Sequence, residues 1–134
     1  MHTILFADDT DIVRELFCEA LRRSGYRVLE AEDGVKALSV ARCHSGPIDL
    51  LITDIMMPHL SGPQLRRAFG ASHPETSVLF ISGYAGDEMD FDGPFLQKPF
   101  TPDTLLARVA DILRVSEASP AFASSASASP ASSV

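Results

Sequence analysis

Acidic, hydroxyl and ammonium side chains recur in this sequence at one kind of place, the polar end of an apolar run. Asp8 and Asp9 follow Thr3-Ile-Leu-Phe-Ala7, Asp54 ends the run from Ile48, Ser82 ends the run from Ser77, and Lys98 follows Phe95-Leu-Gln97. An ionised carboxylate at the end of an apolar strand loses solvation on one side, so Asp54 requires a cation, a metal or a covalent modification as its partner. Three carboxylates held close repel and push protons onto one another unless a divalent cation neutralises them. Oxygen-only ligands point to magnesium, which uses few protein carboxylates and keeps waters and phosphate oxygens. Asp9 and Asp54 suit direct coordination and Asp8 coordination through water. Lys98 adds a point positive charge and Ser82 a hydroxyl donor, both useful to a phosphoryl oxygen. Such a set can stabilise phosphoryl transfer to a carboxylate by positioning and charge alone.

The intervening segments read as the elements that hold these residues. Val13, Leu16, Phe17, Ala20 and Leu21 fall on one helical face, with Thr10 or Asp11 available as N-cap and Gly25 beyond the last turn. Tyr26 to Glu30 reads as a strand, and Asp33-Gly34 opens a helix that runs to about Cys43 before Gly46-Pro47. Ile48 to Thr53 is nearly continuously apolar, as a central parallel strand covered on both faces should be, with Asp49 the exception. Ser61-Gly-Pro63 signals a helix start, with Leu65, Ala68 and Phe69 as its apolar face. Tyr84 to Gly93 holds two glycines and four acids, so any helix there is short. Thr101-Pro102-Asp103 supplies an N-cap, an N1 proline and an acid matched to the helix dipole, ahead of Leu105, Val109, Ile112 and Leu113. Five strands alternating with four or five helices imply a doubly wound parallel sheet, whose ligand site lies outside the carboxyl ends of the strands.

Composition narrows the class. A chain of 134 residues that is 46% hydrophobic supports one domain with a real core. A formal charge of -7 argues against a nucleic-acid or anionic-membrane surface and favours proteins or cations as partners. Without a membrane-length apolar run or a signal-peptide core, the expected location is the cytoplasm. Cys18 and Cys43 form no C-x-x-C pair and read as buried reduced thiols, while His2, His44, His59 and His73 lack metal-ligand spacing and read as surface or loop residues. From Ser116 the composition turns to Ser, Ala and Pro, so residues 1–115 read as the domain and 116–134 as a flexible tail or truncated linker, with Phe122 the one conceivable anchor.

Over Thr3 to Val115 the chain resembles the receiver domains of two-component response regulators, because five separated positions agree. The resemblance implies a flavodoxin-like sheet of order 2-1-3-4-5 and a phosphorelay role. The domain would accept a phosphoryl group from the phosphohistidine of a histidine kinase or histidine phosphotransfer protein, with magnesium, and then switch its contacts with a downstream protein. It implies magnesium ligation by Asp8, Asp9, Asp54 and the backbone carbonyl of Met56, with Asp54 the phosphoacceptor. It implies phosphoryl binding by Ser82 and Lys98, a switch residue at Phe95, and a Lys98-Pro99 bond that is often cis in the family. Met56 and Tyr84 flank the position from which water would attack the acyl phosphate, so both are expected to tune its lifetime. The chemistry expected is that of a phosphoacceptor with only intrinsic self-phosphorylation and dephosphorylation, not of a turnover enzyme. The run Phe95-Leu-Gln-Lys-Pro-Phe100 also resembles the receivers attached to hybrid histidine kinases, though stand-alone receivers carry it too. Two features depart from the family. The interval from Ser82 to Lys98 is short, which implies a shortened fourth helix and puts dimerisation through it in doubt, and Phe95 has no hydroxyl, so packing must drive any rotation.

Each element taken singly has a plainer explanation. Asp8-Asp9 could cap a helix, Asp54 could cap a turn, Ser82 could satisfy a backbone group, Lys98 could be a solvated charge and Phe95 a core residue. Their joint placement at successive strand ends favours the site. A receiver-fold interaction module that is never phosphorylated is the alternative. An aspartyl-phosphate hydrolase would want a second acid where Met56 stands, and a flavin protein would want a phosphate cradle in place of Asp8-Asp9.

Overall fold

The computed structural model describes residues 1–83 and 94–118. In chain order these form β1 (Thr3–Ala7), α1 (Asp11–Arg23), β2 (Arg27–Ala31), α2 (Gly34–Cys43), β3 (Leu50–Asp54), α3 (Gly62–Ser72), β4 (Ser77–Ser82), β5 (Phe95–Gln97) and α4 (Pro102–Ala118). The strands make one five-stranded sheet, all parallel, in the order β2-β1-β3-β4-β5. This is the expected flavodoxin-like doubly wound architecture. The expected short fourth helix and the 116–134 tail, apart from the last turn of α4, fall outside the described residues.

Strand alternation divides the core in two. Ile4 and Phe6 of β1, with Leu50 and Ile52 of β3, pack on one face against Phe17, Cys18 and Leu21 of α1 and Leu105, Val109 and Leu113 of α4. Leu5 and Ala7, with Leu51, pack on the other against Ala37 and Ala41 of α2 and Leu65 and Phe69 of α3. Successive side chains of a strand point to opposite faces, so a strand covered on both sides must be apolar throughout.

Local chemistry sets the helix ends. The Asp33 carboxylate accepts the Lys36 N–H at 2.7 Å, and Ser61 and Gln64 form a reciprocal capping box. Thr101 Oγ1 accepts the Thr104 N–H at 3.2 Å. Gly25 follows α1 at φ +98°, a conformation that an L side chain adopts at a cost. Thr10 is the N-cap of α1, but its side chain makes no capping bond. The Thr10 backbone N–H donates to Asp8 Oδ1 at 2.8 Å, so this turn serves the acid.

Several sequence expectations are corrected. Leu16, assigned to the buried face of α1, is exposed, and Cys18 is buried instead in the cluster that α1 forms with the sheet and α4. Ala68 on α3 is likewise exposed. Cys43, expected to be buried, is exposed at the end of α2, whereas Cys18 is buried as expected. His73 is not a plain loop residue, since its ring stacks on Phe69 at 4.4 Å. β3 begins at Leu50, and Asp49 at its threshold accepts the Thr3 N–H through Oδ2 at 2.8 Å. The acid that interrupts the apolar run thus pins the start of β1.

Candidate functional site

The sheet register brings the strand-end residues together. Ala7 pairs with Thr53, Asp54 with Ile81, and Ser82 with Gln97, so each polar residue lies on its neighbour's row or one step beyond it. Parallel strands start from one edge and end at the other, which is why polar residues far apart in sequence meet here. The Lys98 N–H donates to the Ser82 carbonyl at 2.7 Å, fixing where the lysine leaves β5. The Lys98-Pro99 bond is cis, and Phe100 beyond it packs on Phe17 of α1 with ring centroids 4.8 Å apart.

Lys98 Nζ donates to Asp54 Oδ2 at 2.9 Å and to Asp8 Oδ2 at 3.3 Å. Asp8 is fully buried, Asp54 nearly so, and Asp9 is exposed. One carboxylate oxygen from each of the three acids lies within 4.8 Å of the others. Asp54 Oδ1 also accepts the Met56 N–H at 3.3 Å. Burial pushes the Asp54 carboxyl above its ordinary range, and Asp8 adds to this, while the hydrogen bond and charge of Lys98 pull the other way. Burial also works against the Lys98 ammonium, but its bonds to Asp54 and the attraction of both acids outweigh it, so that pKa is raised.

Three clustered carboxylates, two of them sharing the Lys98 ammonium, form a donor set that fits a hard divalent cation. The ligands are all oxygen, and one acid is open to solvent. The loop after β3 is closed down on the end of that strand. The Gly62 N–H donates to the Ile55 carbonyl at 2.8 Å, and a Cβ at Gly62 would lie 2.5 Å from the Asp54 carbonyl oxygen. Only glycine permits so close an approach.

The sequence matches the family described as "Response regulator receiver domain" over residues 4–110. The chain belongs to the response regulator receiver domain family. It is therefore a phosphorelay module of two-component signal transduction. It is 37% identical over 117 residues to the sensor kinase CckA of Brucella abortus, covering 83% of this chain and 12% of that protein. A crystal structure of the receiver domain from the hybrid histidine kinase CckA is 42% identical with a TM-score of 0.74, covering 83% of this chain and 98% of the other. The receiver protein CpdR of Brucella abortus is 33% identical over 119 residues, covering 84% of this chain and 98% of that one. The regulator TrrA of Thermotoga maritima, solved in complex with Mg2+-BeF, is 30% identical with a TM-score of 0.73, covering 84% of this chain and 99% of that one. Relatives thus include a domain within a much longer kinase and a protein made of little else.

Asp8, Asp9, Asp54 and Lys98 converge as the sequence suggested, and Ser82 is buried at the end of the adjoining strand. Phe95 is half-buried opposite Phe80, and its carbonyl accepts Arg108 Nη1 at 2.9 Å. The Met56 side chain is exposed at the site's rim, and Tyr84 lies outside the described residues. Sequence reasoning missed Arg14, which donates to the Asp8 carbonyl at 2.7 Å. The available signal was a charged residue between Val13 and Phe17, on a face otherwise read as apolar.

Proposed function

We propose that Asp54 is the phosphoacceptor of this receiver. The observation that carries the reading is the Lys98 ammonium bridging Asp54 and Asp8, with Asp9 alongside. A carboxylate oxygen of Asp54 attacks the phosphorus of a partner's phosphohistidine. The P–O bond forms as the P–N bond breaks, and the imidazole leaves with the electron pair. Asp8, Asp9, Asp54 and the Met56 carbonyl would hold magnesium, which supplies charge neutralisation for the phosphoryl oxygens. The Lys98 ammonium turns from the Asp54 carboxylate to a phosphoryl oxygen, and the Ser82 hydroxyl donates to another. Phe95 repacks in response, shifting a pre-existing equilibrium of protein contacts. Met56 and Tyr84 tune the lifetime of the acyl phosphate, which forms once per donor and not by enzymatic turnover.

The partner is a histidine kinase or a histidine phosphotransfer protein. Ile12 and Leu16 support this, since they are 79% and 52% exposed on α1, within two turns of the acids. Apolar residues left open beside a reactive site suit a partner that must press its own group into that site. The readout is a downstream protein target and not nucleic acid, in keeping with the -7 charge, and the setting is the cytoplasm. Residues 1–115 are the receiver unit and the Ser/Ala/Pro-rich stretch from 116 a tail or linker, into which α4 runs as far as Ala118.

Label transfer from a phosphorylated kinase tests the acceptor. Asp54→Asn should abolish it, and persistent labelling would move the acceptor elsewhere. Beryllium fluoride with magnesium should shift NMR signals around Asp54, Ser82 and Phe95. A silent spectrum together with no label transfer would leave a receiver-fold interaction module.

A further inference from the structure

We infer that Arg14 is a positioning residue for the metal-binding acids, acting through the peptide that joins Asp8 to Asp9. The inference rests on the function proposed above and adds a residue that touches none of the reacting groups. The Arg14 side chain is only 12% exposed although it lies on a helix surface. Its guanidinium donates in three directions, through Nη1 to the Asp8 carbonyl at 2.7 Å, Nη2 to Asp11 Oδ1 at 2.7 Å, and Nε to Glu30 Oε1 at 3.3 Å. Glu30 on β2 is held from its other oxygen by Arg22 Nη1 at 2.9 Å. The guanidinium is therefore fixed between α1 and β2, and it presents one N–H group to the acid turn.

That turn needs it for Asp9 more than for Asp8. Asp8 is anchored four ways. Its N–H group donates to the Ala31 carbonyl at 3.1 Å, its Oδ1 accepts from Thr10, its Oδ2 from Lys98, and its carbonyl from Arg14. Asp9 is exposed, and its carboxylate makes no hydrogen bond among the described residues. The direction in which Asp9 leaves the strand is set by the plane of the 8–9 peptide, and the oxygen of that plane is the atom Arg14 holds. Outer partners that orient metal ligands are worth about 10–100-fold in affinity when removed. Simple electrostatics predicts the opposite sign, because deleting a cation near a cation site should tighten metal binding. The two causes are thus separable by direction.

The test is magnesium titration of the 15N-labelled chain, read from amide chemical shifts and so independent of phosphorylation. Arg14→Met should weaken magnesium binding about tenfold. Arg22→Met is the control, because it also strips a guanidinium from Glu30 but does not touch Asp8. It should leave the affinity within about twofold of the parent. Unchanged or tighter binding in Arg14→Met, or equal weakening in both variants, would overturn the inference. Should Arg14→Met not fold, Arg14→Lys keeps the charge without the fork, and parent-like affinity in that variant would overturn it equally. A parent protein that binds no magnesium would refute the proposed function itself and this inference with it.

Discussion

Replacing Lys98 by methionine keeps the aliphatic stem and removes the cation that Asp8 and Asp54 share. The ammonium sits 2.9 Å from one carboxylate and 3.3 Å from the other, on a side chain 25% exposed. At an effective dielectric of about 20 each contact represents roughly 5 kcal/mol of gross attraction. Most of that is offset by desolvation of the three groups. Breaking a buried pair costs about 3–5 kcal/mol, and the partial exposure of Lys98 lowers the expectation to about 2–3 kcal/mol near neutral pH. A second route caps the loss, because a stranded acid can take up a proton. Holding a proton on a carboxyl whose ordinary pKa is 3.8 costs about 4 kcal/mol near pH 7 but only about 1.6 kcal/mol near pH 5. Burial already holds the Asp54 pKa above that value, and losing the ammonium raises it further. A carboxyl whose folded pKa exceeds its unfolded one contributes less stability as pH rises from the unfolded value toward the folded one. The Lys98 contribution in the parent is full below 10.5, where the pKa is raised, so it is constant across this window. The deficit of the variant must therefore shrink on acidification. Urea unfolding in EDTA, followed by far-UV circular dichroism because the chain has no tryptophan, measures it. A deficit that is equal or larger near pH 5 than near pH 7 would refute this account of the site.

Other perturbations test the frame. Gly62→Ala drives a Cβ to 2.5 Å from the Asp54 carbonyl oxygen and 2.9 Å from Ile55 Cα, so it should cost about 2 kcal/mol or more in denaturant unfolding and slow phosphoryl acceptance. Asp49→Ala strands the buried Thr3 N–H and should cost about 1–2 kcal/mol by the same measurement, with phosphoryl acceptance unchanged. Burial pushes the Cys18 thiol up to about 12, so under native conditions a maleimide should label the exposed Cys43 first, and Cys18 should react only on unfolding. Mass spectrometry of the labelled peptides decides this, and native labelling of Cys18 would contradict it.

Much of the site was legible because its residues are marked by local contrast. An acid, a hydroxyl or a lysine that ends an apolar strand stands out in the chain, and parallel topology guarantees that such ends share one edge. Helix starts were legible for a similar reason, since Asp33, Ser61 and Thr101 satisfy backbone groups within three or four residues. The cysteines were not legible as a pair, because burial of Cys43 depends on whether another element covers the end of α2.

By itself the sequence determined the element order, the doubly wound sheet and the identity of the strand-end residues, since these follow from patterns of period 2 and 3.6 and from short-range hydrogen bonds. Only the tertiary structure decided which atoms meet. The Lys98 ammonium chooses Asp54 and Asp8 through the register of β4 and β5, Asp49 turns to Thr3 across β1, and Arg14 reaches the Asp8 carbonyl while gripping Glu30 on β2. Leu16 stays 52% exposed, although its spacing is that of a core residue. Spacing fixes which face a side chain lies on, but its partner is fixed by what the rest of the chain brings to that face.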